Sequence, residues 1–169
     1  MIFRRLLSLP LVFALLLCAG IDACHQNDPD KAAIGATLTG VDYLPDHLGV
    51  QDFTVNGVDG AQAGKGGREV CCVLLPVKWQ PGMTAKVTWN VTNFRDCTGT
   101  DYAADVPIDK YDEPGSLYVS FLPDGKVRIT VSALDTPYSP GYQGPHLKIP
   151  DKHPWHVWPL HSHCPQLFK

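Results

Sequence analysis

The sequence predicts an all-β protein: a single antiparallel, sandwich-like domain of about six strands, followed by an irregular C-terminal tail rich in proline, histidine and tryptophan. Three observations predict it. Fifteen glycines and fifteen prolines in 169 residues interrupt the chain too often for long helices and suit short strands joined by turns. The apolar runs are short and β-branched, and Gly, Pro or Asn bounds them, as in Val70–Pro76. One hairpin is explicit: Ser116 to Leu122 and Lys126 to Ala133 flank the turn Pro123-Asp124-Gly125. The layout that follows is a signal segment over 1–23, a tether over 24–34, a β domain over 35–134 and a tail over 135–169.

Taken in order, Ala36 to Tyr43 alternates weakly and predicts a first strand. Leu44 to Gly49 is a turn, and Val50 to Asn56 a second strand that Gly57 ends. Val58 to Arg68 is a glycine-rich loop. Val70 to Pro76 is a buried strand, and Ala85 to Val91 alternates with period two beyond the turn signal Pro81-Gly82. The spacing predicts that these two pair antiparallel. Thr92 to Pro114 is a long polar connection. In the hairpin, Val127, Ile129 and Val131 share one face. Beyond Leu134 periodicity disappears, and the tail is expected to pack along the sandwich edge.

The N-terminus reads as a targeting segment. Arg4 and Arg5 precede the apolar run Leu6–Leu17, and Ile21-Asp22-Ala23-Cys24 supplies a cleavage site. The run is short for a membrane span. A small residue directly before a cysteine is similar to a bacterial lipoprotein signal, with Cys24 lipidated. Acyl chains anchor because each buried methylene is worth about 0.8 kcal/mol. Asp22 departs from the usual pattern, and an ordinary signal peptide is the alternative. His25 rather than aspartate at the next position points to the outer membrane, facing the periplasm. The net charge of −3 and pI near 6.1 leave no electrostatic footprint for nucleic acid.

Of six cysteines, Cys18 leaves with the signal and Cys24 takes the lipid. Cys71, Cys72, Cys97 and Cys164 remain as disulfide candidates, with three possible connectivities. Neighbours on a strand point to opposite faces. Cys71 and Cys72 are therefore expected to take different partners, Cys97 and Cys164, in either order. A thiolate metal site lacks the Cys-x-x-Cys spacing it needs.

No stretch carries an explicit catalytic pattern, and the chain is read as a non-enzyme without a cofactor. Gly60 to Lys65 fails the phosphate-loop spacing, and strand rather than helix follows it. Asp101, Asp105, Asp109 and Asp112 lack the alternating calcium-loop run and read as solvated loop acids. His153, His156, His161 and His163 are the metal candidates, because neutral imidazole is the commonest ligand. Their spacing matches no established site: His161 and His163 would share one side of an extended segment, whereas Pro154 and Pro159 oppose the helix that would join His153 and His156. A packed polar tail is the competing account. Tyr142, Trp155 and Trp158 are the candidate anchors for a protein partner.

Several blocks occur in a recognisable order: Phe53-Thr-Val-Asn-Gly57, the glycine-rich loop, Val70-Cys-Cys-Val-Leu-Leu-Pro76, Trp79-x-Pro-Gly82, Val87-Thr-Trp89 and Pro114-Gly-Ser-Leu-Tyr-Val119 through Gly125. Together they resemble the Gram-negative envelope lipoprotein family known as domain of unknown function 3304, over about Ala36 to Ala133. The first strand, Gly40-Val41-Asp42-Tyr43, departs from that pattern, and the tail is individual. The resemblance implies no catalytic residues. Some members lie beside lipase effectors of type VI secretion systems. It thus implies an immunity protein that binds and blocks a secreted phospholipase effector in the periplasm. The alternatives are an envelope metal-binding module built on the tail histidines and a structural envelope lipoprotein.

Overall fold

The structure is a computed structural model that describes residues 32–168. Cys24 and the signal segment lie outside the described residues. Eight strands form two four-stranded sheets, rather than about six. They are β1 (Ala33–Asp42), β2 (Leu48–Val55), β3 (Val58–Asp59), β4 (Val70–Pro76), β5 (Thr84–Asn93), β6 (Thr98–Pro107), β7 (Ser116–Phe121) and β8 (Val127–Ser132). One sheet runs β4-β1-β7-β8 and the other β3-β2-β5-β6. All neighbours are antiparallel except β1 and β7, which are parallel.

The core follows from period-two alternation on both sheets. Leu38, Val73, Leu75, Leu117, Val119, Phe121, Ile129 and Val131 from one sheet meet Val50, Phe53, Val55, Ala85 and Val87 from the other. Phe53 and Phe121 touch edge to face across the interface, with centroids 5.3 Å apart. Gly40 makes room for this packing. A Cβ there would stand 2.6 Å from the Phe53 ring and 2.7 Å from Ala63. The expected hairpin is present, Phe121 pairing with Val127. Its Gly125 has φ +78°, which an L side chain adopts only with strain.

Four expectations are corrected. The strands at Val70–Pro76 and Ala85–Val91 do not pair. They belong to different sheets, because the seven residues between β4 and β5 cross from one layer to the other. The polar connection after Thr92 contains β6, ten residues in unbroken register with β5. Its alternation is hidden because only Tyr102 and Val106 on its inward face are large and apolar, among threonine and alanine. The tail does not run along an edge. Tyr142 inserts against Val41, Tyr43 and Tyr118 on the outer face of the first sheet, covering that face over β1 and β7. Finally, Pro154 and Pro159 do not prevent helix. Pro154 opens a one-turn helix, α1 (Pro154–Val157), where a missing N–H costs nothing, and Pro159 sits just before another, α2 (Leu160–His163). A 3₁₀ turn, Pro165–Phe168, ends the described chain.

The cysteine pairing also differs. Cys97 bonds to Cys164, and Cys71 bonds to Cys72. The alternation argument fails locally because the β1–β4 register shifts at this point. Between the pairs Ala36–Val73 and Leu38–Val70, the single residue Thr37 faces both cysteines. That two-against-one arrangement is a bulge, where alternation is suspended. The peptide bond joining the two cysteines is cis.

Candidate functional site

The tail and the second sheet enclose a groove. Its deeper part, a cavity of about 320 Å³, is lined by Asp42, Gln51, Gln62, Lys65, Lys152, His153 and Trp155 among others. Gln51, Gln62 and Trp155 continue into a more open part with Phe94, Leu160 and His161. Trp155 is 43 % exposed, although it borders both parts.

The floor is an ion pair. Lys152 Nζ lies 2.9 Å from Asp42 Oδ1, with only 9 % and 4 % of the two side chains exposed. The ammonium also donates to the carbonyls of Leu48 at 2.7 Å and Leu44 at 3.0 Å. Asp42 accepts the backbone N–H groups of Leu44 and Val50 in turn. Burial pulls Lys152 below the usual lysine range, and the Asp42 carboxylate opposes that fall. A buried charge so fully partnered is a fastening, holding the tail to the turn between β1 and β2. Lys65 pairs with Asp151 at the exposed rim, and Tyr138 donates to the Lys65 carbonyl at 2.7 Å.

The second fastening is the Cys97–Cys164 disulfide, with Cα atoms 5.3 Å apart. It joins the tail to the turn between β5 and β6. Residues 153–163 are therefore pinned at both ends, while Trp155, His156, Val157, His161 and His163 between them are exposed. Gln51 supplies an unusual feature. Its amide nitrogen is buried without a hydrogen-bond partner, at the place where the two parts of the groove meet.

The sequence-level candidates divide. Trp155 lies where a partner can reach it. Trp158 is half-buried and does not line the groove. Tyr142 is corrected: it is wholly buried, because its ring is what fills the second apolar cluster. The four histidines are not gathered into one site. His153 and His156 stack with ring centroids 5.4 Å apart, and His163 Nε2 lies 2.8 Å from the Arg95 carbonyl. Among the described residues one cluster has metal-ligand geometry: the sulfurs of Cys97 and Cys164 and a ring nitrogen of His163 lie within 4.8 Å of one another. With the disulfide formed, neither sulfur is a thiolate able to bind metal.

Sequence reasoning missed Asp42, Lys152, Gln51 and Gln62. Each is an ordinary polar residue in its local context, and 110 positions separate the two members of the ion pair. No curated protein and no solved structure matches this chain. The model of one family, described as Protein of unknown function (DUF3304), matches residues 45–129, running from the β1–β2 turn into β8 and leaving the tail outside. That match spans half of the 169 residues, and the chain belongs to this family.

Proposed function

We propose that this protein is a lipid-anchored immunity protein of the outer membrane, facing the periplasm, that binds and neutralises a phospholipase effector delivered by type VI secretion. Trp155 and the groove beside it are the contact. The observation that carries this reading is the presentation of residues 153–163. An exposed tryptophan stands on a segment fastened at Lys152 and at Cys164. A loop ordered before it meets its partner loses little conformational entropy on binding. Tryptophan is the side chain most often found at the energetic centre of such contacts. The segment lies outside the residues that the family model matches, as expected for a surface that recognises an individual partner on a shared scaffold. Lipidation at Cys24 would keep the protein at the membrane where a phospholipase acts.

The experiment is protection. Cells that receive the effector in the periplasm survive when they carry this gene and die when they do not. Trp155→Ala weakens the purified complex by roughly thirtyfold, the scale of a hot-spot truncation, and leaves the urea midpoint of the free protein unchanged. Survival that ignores the gene, or a complex indifferent to Trp155, would sink the reading.

A metal-binding module is the second reading, and the Cys97–His163–Cys164 cluster favours it. It requires the bridge to be open. Saturable zinc binding by reduced protein, abolished by His163→Ala, would support it over protein binding.

A further inference from the structure

A second surface, sharing no lining residue with the tail groove, lies at the other end of the second sheet. There β6 is the last strand, and among the described residues nothing pairs with its outer edge. It is ten residues long, and its register with β5 has no bulge. Edge strands are commonly blunted by shortness, bulges, charge or internal proline. β6 is neither short nor bulged, and before its terminal Pro107 it carries only the charges of Asp101 and Asp105. A long row of backbone donors and acceptors is left open, which only another extended chain satisfies along its length.

The side chains on β6 add two independent observations. Val106 is buried, and Ile108 just beyond β6 bridges to Ile129 of β8, so the sandwich is closed at that end. Thr100, Tyr102 and Ala104 share the inward face with Val106, yet all three are exposed. The two sheets part here over an apolar cleft of about 160 Å³, walled by Trp89, Tyr102, Phe121 and Val127. Trp89 stacks on Tyr102 at 5.3 Å and reaches Phe121 at 6.0 Å. On the outward face the only charges of β6 are Asp101 and Asp105. Asp101 accepts a bond from the neutral amide of Asn90, and Lys86 stands opposite Asp105. A second copy of β6 centred on Ala103 would set Asp101 against Asp105 of its mate twice over, which like-charge repulsion disfavours.

We propose that β6 is a docking edge for an extended segment of a protein partner, antiparallel to it, with basic residues four apart and apolar residues between them. The basic residues meet Asp105 and Asp101. The apolar residues, opposite Ala104 and Tyr102, enter the cleft beside Trp89 and Phe121. This surface is independent of the Trp155 contact, and either can fail without the other.

The probe is a synthetic peptide, Thr-Lys-Val-Thr-Phe-Lys-Thr with blocked ends, titrated into the isotopically labelled full chain. We expect amide shifts and slowed hydrogen exchange confined to β6 and the cleft. Replacing both peptide lysines by glutamate weakens binding roughly tenfold, the combined scale of two reversed cross-strand pairs. In the variant D101K/D105K the preference inverts, and the glutamate peptide binds better. Trp155→Ala binds the lysine peptide unchanged. Absence of shifts on β6 up to millimolar peptide overturns the proposal, as do shifts confined to the tail groove. So does a dimer in sedimentation that D101K/D105K alters, because the edge is then occupied by a second copy.

Discussion

Tyr142 shows how a single side chain links packing to pH. Its ring is wholly buried against Tyr118, with centroids 5.4 Å apart, and its hydroxyl is buried beside those of Ser120 and Thr130, whose pull on the phenol is weaker than the effect of burial. Burial pushes its pKa from 10.0 up to about 12. A phenol that ionises later in the folded than in the unfolded chain contributes stability that is complete below pH 10. That contribution is lost as pH rises through 12, a fall of roughly 3 kcal/mol for a two-unit shift. Tyr142→Phe keeps the ring and removes the ionisation. We expect it to change stability by no more than about 1 kcal/mol at pH 7. Its stability then falls less steeply than wild type between pH 10 and 12, in urea titrations run at each pH. Parallel curves for the two proteins would contradict this account of the second apolar cluster.

At the scale of elements, the tail has little regular structure of its own: two single helical turns and one 3₁₀ turn. Isolated turns of this length are unstable in water. Their order must come from the fastenings. Lys152→Ala removes one and leaves Asp42 buried without its counter-charge. Breaking a buried pair from one side costs about 3–5 kcal/mol. We expect that loss in urea unfolding, with faster amide exchange over residues 150–163. Restoring Asp42 to neutrality in Asp42→Asn/Lys152→Ala should recover part of the loss, and the double-mutant cycle measures how much. Strictly additive losses would mean that the pair does not act as a unit.

At the scale of the whole molecule, the Cys97–Cys164 bridge joins positions 67 residues apart. It ties the tail, already seated on the outer face of the first sheet, to the second sheet. Closing a loop of that length restricts the unfolded chain by roughly 4 kcal/mol in the loop-entropy model. The double variant Cys97→Ser/Cys164→Ser is expected to lose about that much in urea and to exchange fastest over residues 153–163. Cys71→Ser/Cys72→Ser encloses no loop between adjacent residues and has no comparable entropic term to lose. Equal destabilisation by the two pairs would show that loop closure is not what the long bridge contributes.

What the sequence determined by itself is local chemistry repeated along the chain. Apolar alternation and the Pro-Asp-Gly turn made the all-β class and the β7–β8 hairpin legible, since period two and turn residues act over a few neighbouring positions. The exposed position of Trp155 was legible only as one guess among three aromatics, because Tyr142 has the same apolar character and is buried. Contacts between distant residues came from the folded molecule alone. Sheet membership placed β4 and β5 in different layers. A bulge opposite Thr37 brought Cys71 and Cys72 together against the alternation rule. β6 stayed hidden because threonine and alanine dilute the face that Tyr102 and Val106 occupy, and its strand character comes from ten pairings with β5. Asp42 and Lys152 became partners because folding removes both from water, and a buried charge must then find its counter-ion wherever the chain brings one.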